Sequence, residues 1–196
     1  TDFVINHTGN KHPWFLEASK GKDNPYRDYY VWAKKDSIKG QLFKKAITAD
    51  SYNLRKWHPV DGDTISEQYY GYFNGLCPDL NMDNPRVKEE IIDVSKFWLE
   101  DLGVDGFRLD AARHVFPDDR NPDNYAFWEW FRAEMIKIKP DVYLVGEVWQ
   151  EAKEVAPYLK GLPSLFNFDL GYAIVTDVQV GRDTVQLVKK YKDISD

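Results

Sequence analysis

The chain has 196 residues, of which 43% are hydrophobic and 30% are charged, and its formal net charge is −6. This length and balance fit a globular chain, and the acidic surplus argues against a nucleic-acid partner or an anionic membrane surface. A single cysteine, Cys77, excludes an internal disulfide framework and a cysteine-based zinc site. No apolar segment approaches the roughly 20 residues that span a bilayer. The aromatic share of 15% predicts either a large aromatic core or a surface that stacks on flat rings.

The first residues predict that the sequence is an internal fragment of a longer protein. Residues 1–8 alternate as in a strand, and no methionine, signal peptide or transit segment precedes them. On this interpretation the localisation is unknown. The isolated 196-residue chain is expected to be inactive.

The chain has an irregular first part and a second part with clear helix and strand signals. Residues 8–76 are irregular, with possible short strands at 29–33 and 69–73. Asn84-Pro85 then predicts a helix start, apolar residues continue at helical spacing, and Gly103 predicts the helix end. The later elements are predicted as strands over 104–110, 142–147 and 165–168 and helices over 125–139, 151–160 and 170–191. Alternating strands and helices predict an α/β fold with a parallel sheet.

Polar residues cluster where three predicted strands end. The clusters are Asp2, Asn6 and His7; Arg108, Asp110, Arg113 and His114; and Glu147 with Trp149. Strand alternation places Arg108 and Asp110 on one face, where the arginine would keep the aspartate ionised. A partly desolvated Glu147 near a second carboxylate should have a raised pKa, which suits a general acid. The alternative is a structural ion pair between Arg108 and Asp110, with Glu147 as a solvated strand end.

Four short motifs, in order, resemble those of the α-amylase family of retaining glycoside hydrolases, and the likeness runs over essentially the whole chain. The motifs are Asp2-x-x-x-Asn6-His7, Cys77-Pro78-Asp79-Leu80-Asn81, Gly106-Phe107-Arg108-Leu109-Asp110 with Arg113-His114, and Gly146-Glu147-Val148. The resemblance implies a partial (β/α)8 TIM barrel, about strands 3 to 6, with an irregular domain B inserted after strand 3. Residues 1–7 would end strand 3, 8–78 would form domain B, and 79–196 would run from helix 3 through strand 6 and its helix.

The resemblance also implies catalytic roles. Asp110 would be the nucleophile, Glu147 would be the general acid and then the base, and Arg108 would orient Asp110. A third family aspartate, preceded by Asn-His, has no match in this sequence.

Further residues are expected to contact the substrate. They are His7 in the cleavage subsite, Arg113 and His114 on the leaving-group side, Trp149 as a stacking surface, and Ala111 beside the nucleophile. In oligo-glucosidase relatives a valine at the position of Ala111 goes with α-1,6 cleavage, and smaller or hydroxylated residues go with α-1,4 cleavage.

The resemblance further implies a structural Ca²⁺ site made by Asn6, Asp79 and the backbone oxygen of His114. Oxygen ligands of this kind suit Ca²⁺. The Pro-Asp-Leu-Asn form around Asp79 also occurs in family branches that lack the ion. The sequence therefore leaves open whether this site binds Ca²⁺.

Three functions are compatible with these residues. The first is hydrolysis of α-1,4-glucosidic bonds in starch or malto-oligosaccharides, with the α-glucan as the only partner expected. The second is a neopullulanase, oligo-glucosidase or transglycosylase activity through the same double displacement. The third is a non-catalytic amylase-like interaction domain, which the presence of both Asp110 and Glu147 disfavours.

Overall fold

Strands and helices alternate through most of the computed structural model, which describes residues 1–38, 56–60, 67–181, 188–189 and 192. The strands of these ranges are β1 (Asp2–Phe3), β2 (Trp32–Lys34), β3 (Trp57–Pro59), β4 (Glu67–Tyr70), β5 (Gly106–Leu109), β6 (Tyr143–Gly146) and β7 (Ser164–Leu165). The α-helices are α1 (Pro13–Ala18), α2 (Pro85–Lys96), α3 (Asn121–Ile138), α4 (Ala152–Val155) and α5 (Phe168–Val180). None of the helices in the described ranges has the length and apolar character to cross a lipid bilayer.

The predicted parallel sheet is present. Strands β1, β5, β6 and β7 lie side by side in chain order, and all three pairings are parallel. A helical segment follows or precedes each strand from β5 onward, as expected for an α/β fold. Because the strands are parallel, their carboxyl ends meet at one edge of the sheet, and the residues after them meet there too.

The side chains that face the helices explain why the sheet is stable. Phe107 and Leu109 of β5 and Leu144 of β6 are buried in one cluster with aromatic residues of α3. Trp128 and Phe131 of that helix are fully buried. The predicted alternation along β5 is therefore confirmed, since Arg108, between the two apolar residues, is partly exposed.

Helix boundaries largely follow the predicted signals. The Asn84 side chain accepts a hydrogen bond from the Arg86 N–H and caps α2. A π-helical turn, Phe97–Asp101, prolongs α2, and Gly103 then adopts a φ of +69°, which glycine tolerates. Helix α3 begins at Asn121, four residues before the predicted start at 125. The helix predicted over 170–191 begins earlier, at Phe168, and ends earlier, at Val180, because Gly181 adopts a φ of +60°; residues 182–187 and 190–191 lie outside the described ones.

The irregular segment after β1 contains a separate antiparallel sheet in the order β2-β4-β3. The strand predicted over 29–33 is shifted, because a 3₁₀ turn occupies Arg27–Tyr29 and β2 starts at Trp32. The strand predicted over 69–73 ends at Tyr70 as β4. Helix α1 was not predicted. The segment returns to the main sheet through a bridge between His7 and Asp79, which carries Asp79 to the end of β1.

Candidate active site

One arginine joins the two carboxylates at neighbouring strand ends. The guanidinium of Arg108 donates to Asp110 at 2.7 Å and to the carboxylate of Glu147 through its other terminal nitrogen. Asp2 lies 3.4 Å from the same guanidinium but is largely exposed. The side chains of Arg108, Asp110 and Glu147 are partly buried, with 20–29% of each side chain exposed. The structure thus holds a nucleophile candidate and an acid candidate in one charged cluster at the sheet edge.

The pKa of Glu147 is raised above its ordinary value. Burial is the main cause, and the adjacent Asp110 carboxylate adds to it. The charge of Arg108 and the indole N–H of Trp149, which donates to Glu147 at 3.0 Å, act in the opposite direction. This confirms the predicted raised pKa, and a carboxyl group with a raised pKa suits the role of a general acid.

The end of β1 adds a neutral imidazole beside the carboxylates. Burial lowers the pKa of His7, and the charge of Asp110 only partly offsets this effect. The ring Nδ1 of His7 lies 2.9 Å from Oδ1 of Asn6, and its edge packs on Phe73. His7 is therefore held next to Asp110 as an uncharged hydrogen-bonding group, which suits a contact with a sugar hydroxyl.

The turn after Asp110 is held in an uncommon backbone conformation. Ala111 has φ +50° and ψ +36°, the left-handed region that non-glycine residues rarely adopt. The N–H of Ala112 donates to the carbonyl of Glu147 at 3.1 Å, and the carbonyl of Ala112 accepts from the Trp128 indole at 2.7 Å. These bonds tie the turn to β6 and to α3. A local conformation that costs free energy at such a place is typical of functional sites.

Arg113 and His114, which were expected on the leaving-group side, have different surroundings in the structure. Arg113 is half-buried and lines a pocket beside the strand ends. The imidazole of His114, expected as a substrate contact, is buried, with only 3% of the residue exposed. It stacks on Tyr72 with 3.8 Å between ring centroids. The aromatic neighbours Tyr72 and Phe73 bury this histidine, so its ring supports the turn.

The three expected Ca²⁺ ligands are brought together. The Asn6 side-chain amide donates to the carbonyl of His114, and Asn6 also interacts with the Asp79 carboxylate. Asp79 is 4% exposed, and burial raises its pKa to about 8, although the Tyr72 N–H, His114, Lys56 and Asn6 oppose the rise. The Asp79 carboxylate and the His114 carbonyl present oxygen atoms, the ligands that Ca²⁺ prefers, whereas Asn6 presents its amide nitrogen to His114 and would add a third oxygen only after rotation of the amide. The described residues contain no group of three or more His, Cys, Asp or Glu side chains that could hold a metal.

Aromatic and polar neighbours from other segments surround the site, and among them Tyr72 and Phe73 were predicted either to stack on sugars or to belong to the core of the irregular segment. Tyr72 and Phe73 lie in the irregular segment, and only the fold places them against His114. Asn124, in α3, accepts from the Phe116 N–H at 2.9 Å and anchors the loop after β5. Trp149 was predicted as a stacking surface, and its ring packs on Phe168 at 4.9 Å.

Known proteins resemble this chain over most of its length. The chain is 43% identical over 182 residues to α-amylase 3 of Dictyoglomus thermophilum, covering 93% of this chain and 32% of that protein. It is 40% identical over 173 residues to a 4-α-glucanotransferase of Thermotoga neapolitana, covering 88% of this chain and 35% of that protein. The crystal structure of an α-amylase from H. orenii superposes with a TM-score of 0.83 at 45% identity, covering 97% of this chain and 36% of that one.

The chain thus spans about a third of the length of these relatives. The model of the family described as "Alpha amylase, catalytic domain" matches residues 1–193. With two carboxylates and an arginine at adjacent parallel strand ends, and a family match along nearly its whole length, the chain belongs to the α-amylase catalytic-domain family.

Proposed function

We propose that the complete natural protein carrying this chain is a retaining glycoside hydrolase that cleaves α-1,4-glucosidic bonds in starch or malto-oligosaccharides. The observation that carries the proposal is the contact of one guanidinium, Arg108, with both Asp110 and Glu147. Two carboxylates at adjacent strand ends, one with a raised pKa, are the groups that a double displacement requires.

In the first step the Asp110 carboxylate attacks the anomeric carbon. The bond to the leaving oxygen breaks as Glu147 transfers its proton to that oxygen, and a covalent glycosyl–enzyme ester forms. Arg108 stabilises the ionised Asp110 and fixes its orientation. His7, neutral because its pKa is lowered, would bind a hydroxyl of the same sugar.

In the second step Glu147, now ionised, removes a proton from water. The hydroxide oxygen attacks the anomeric carbon from the face that the leaving group occupied, and the ester bond to Asp110 breaks. Two inversions give net retention, and both residues return to their starting protonation states.

The barrel position of the chain is part of the same proposal. The parallel strands would be the third to sixth of a (β/α)8 barrel, with residues 8–78 as domain B between the third strand and its helix. The antiparallel sheet β2-β4-β3 supports this division, because it is separate from the parallel sheet and returns to it at Asp79.

Transfer to a sugar acceptor in place of water is the second candidate, as the relatives include a 4-α-glucanotransferase beside the α-amylase. The same two carboxylates serve both outcomes, and product analysis with and without added acceptor separates them.

The stereochemistry of the first product tests the double displacement. We expect the complete protein to release a product with the α configuration, because the Asp110 ester forms and breaks with one inversion each. Proton NMR of the anomeric signal in the first minutes, before mutarotation, measures it. A β product would contradict the proposal.

Linkage preference is expected to depend on the space beside Ala111, which is 7% exposed and directly follows the nucleophile. The wild type should cleave maltotriose in preference to isomaltose. Ala111→Val should raise the ratio of kcat/KM on isomaltose to kcat/KM on maltotriose by about 10–200-fold. Valine is β-branched and Ala111 has a positive φ, so this variant should also lose stability. Ala111→Gly, which relieves the φ constraint and adds no bulk, is the matched control. Equal cleavage of both sugars by the wild type would contradict the steric argument.

We further propose that Asn6, Asp79 and the His114 carbonyl bind a structural Ca²⁺. The support is the convergence of three oxygen-bearing groups from the end of β1, the returning segment and the loop after β5. The ion would supply positive charge to the buried carboxylate and would link these three segments.

Removal of the ion should then lower the melting temperature of the complete protein. EDTA is expected to cause a modest decrease that Ca²⁺ restores and Mg²⁺ does not, because Mg²⁺ requires a smaller octahedral site. Asp79→Asn should abolish the response. A melting temperature unchanged by EDTA would remove the ion from the proposal.

A further inference from the structure

The backbone of Ala112, two residues after the proposed nucleophile Asp110, is held by two other segments. Its N–H donates to the carbonyl of Glu147 at 3.1 Å, and its carbonyl accepts from the indole N–H of Trp128 at 2.7 Å. The Glu147 N–H in turn donates to the Leu109 carbonyl at 3.0 Å. Hydrogen bonds therefore run from helix α3 through the turn to the backbone of the acid candidate.

The turn itself does not have a relaxed backbone. Ala111, which lies between Asp110 and Ala112, has φ +50° and ψ +36°. A non-glycine residue keeps this conformation where its surroundings enforce it, because it costs local free energy. The Ala111 carbonyl accepts from the His114 N–H at 2.8 Å, a bond within the turn. The two bonds of Ala112 are different, because they fix the turn relative to the sheet and to α3.

Trp128 is packed so that its donor has one position. The residue is fully buried, and its ring meets those of Phe127 and Phe131 edge-on, with centroids 5.1 and 5.6 Å away. Gly161 lies against its backbone, since a Cβ at position 161 would come within 2.3 Å of the Trp128 carbonyl carbon. Tryptophan carries one side-chain donor and no acceptor, so the single bond to Ala112 satisfies the buried indole.

A second buried side chain of α3 holds the other end of the same loop. Asn124 accepts from the Phe116 N–H at 2.9 Å and donates to the Phe116 carbonyl at 3.3 Å. Asn124 and Trp128 are four residues apart, so they lie on one face of the helix, and both are fully buried. One face of α3 thus fixes the loop after β5 at both Ala112 and Phe116. Packing alone would need neither the amide nor the indole N–H.

We infer that Trp128 is a positioning residue for bond cleavage, whose indole N–H acts through the Ala112 carbonyl to hold Asp110 at its working distance from Glu147. The inference rests on the proposed function and assigns a part in the rate to a fully buried residue of α3. Retaining enzymes hold the two carboxyl groups about 5–5.5 Å apart. A small displacement of the turn therefore slows both steps and leaves substrate binding nearly unchanged.

The test removes the donor in the complete natural protein. Trp128→Phe keeps an aromatic ring and loses the N–H, so kcat per active site should fall about tenfold while KM changes less than about twofold. Active sites are counted with a 5-fluoro glucosyl fluoride, which forms an ester bond to Asp110 as fluoride leaves. Molecules that have not folded are not labelled and do not affect the rate per site.

Two controls on α3 separate positioning from packing. Trp130→Phe makes the same change at a ring that packs on Phe127 at 5.3 Å, and kcat per site should stay within about twofold of the wild type. Met135→Ala empties space at another fully buried position, and it should lower the melting temperature without lowering kcat per site.

An isosteric variant removes the donor with little change in packing. In Trp128→benzothienylalanine a sulfur atom replaces the indole N–H and the ring system keeps its size. The loss in kcat per site should match that of Trp128→Phe, with a smaller loss in melting temperature. If Trp128→Phe does not fold, this variant provides the result.

A spectroscopic measurement on the wild type tests the same connection. The indole ¹H–¹⁵N signal of Trp128, assigned by its absence in the benzothienylalanine variant, should shift when the ester forms on Asp110, because the turn moves with the carboxylate. The indole signal of Trp130 should stay in place. An unchanged Trp128 signal would contradict the inference.

The outcomes separate the two proposals. A wild type that is neither labelled at Asp110 nor active on α-glucans would overturn the proposed function and this inference with it. A labelled and active wild type whose Trp128 variants keep kcat per site at the level of Trp130→Phe would overturn this inference alone. A rise in KM at constant kcat would also overturn it, because the indole would then act on substrate binding and not on the carboxylates.

Discussion

Replacing Asp110 with asparagine should lower kcat/KM on α-glucans by roughly 10³-fold or more, equivalent to about 4 kcal/mol of transition-state stabilisation. The amide has nearly the same size, so Arg108 keeps a neighbour at this position, but an amide oxygen is a poor nucleophile and forms no stable ester. Steady-state kinetics on malto-oligosaccharides measures the loss. A variant that kept a tenth of the activity would exclude Asp110 as the nucleophile.

Two further variants separate a nucleophile from a merely structural carboxylate. Asp2→Asn removes another partner of Arg108, 3.4 Å away and largely exposed, and should change activity only slightly. Asp110→Ala leaves room for azide, which would attack from the vacated face and give a glycosyl azide of inverted configuration. Formation of that product would show that the position of Asp110 is where the nucleophile acts.

The sequence could predict the strand ends because their residues obey local rules. Alternation along β5 puts Phe107 and Leu109 in the core, so Arg108 must face the other way. The contact of Arg108 with Glu147 follows from parallel pairing, since β5 and β6 place their carboxyl ends at one edge. Periodicity and strand order therefore predicted that the two carboxylates lie at strand ends, whereas their catalytic roles came from the resemblance to the α-amylase family.

Other features depend on contacts between distant segments, which no local pattern reveals. The burial of His114 results from Tyr72, more than forty residues earlier in an irregular segment. The left-handed conformation of Ala111 is a property of the turn, and alanine gives no sign of it. The pocket that Arg113 lines arises where α3 and the loop after β6 meet, so its lining residues are dispersed along the sequence.

Replacing Glu147 with glutamine should affect substrates according to their leaving groups. Malto-oligosaccharides have alkoxide leaving groups and require protonation, so their kcat/KM should fall by about 10²–10⁴-fold. Aryl glycosides with acidic phenols need no proton, and their first step should be nearly normal. Without a base to activate water, the glycosyl ester on Asp110 should then accumulate and give a burst of phenol.

Azide should accelerate the breakdown of that ester, because an anionic nucleophile needs no general base. The product should be a glycosyl azide of retained configuration, opposite to the product expected from Asp110→Ala. Identical loss on both substrate classes, with no burst and no azide effect, would contradict the acid–base role.

The pH profile provides an independent measure of the same group. Glu147 must start protonated, so the wild-type rate should fall as the pH rises through its pKa, which burial and Asp110 hold above the ordinary value for glutamate. Glu147→Gln cannot titrate and should lack this alkaline limb. Trp149→Phe removes the indole N–H that lowers the pKa of Glu147, so its alkaline limb should move to higher pH. A shift to lower pH in Trp149→Phe would mean that another group controls the limb, because a carboxylate that loses a hydrogen-bond donor holds its proton more tightly.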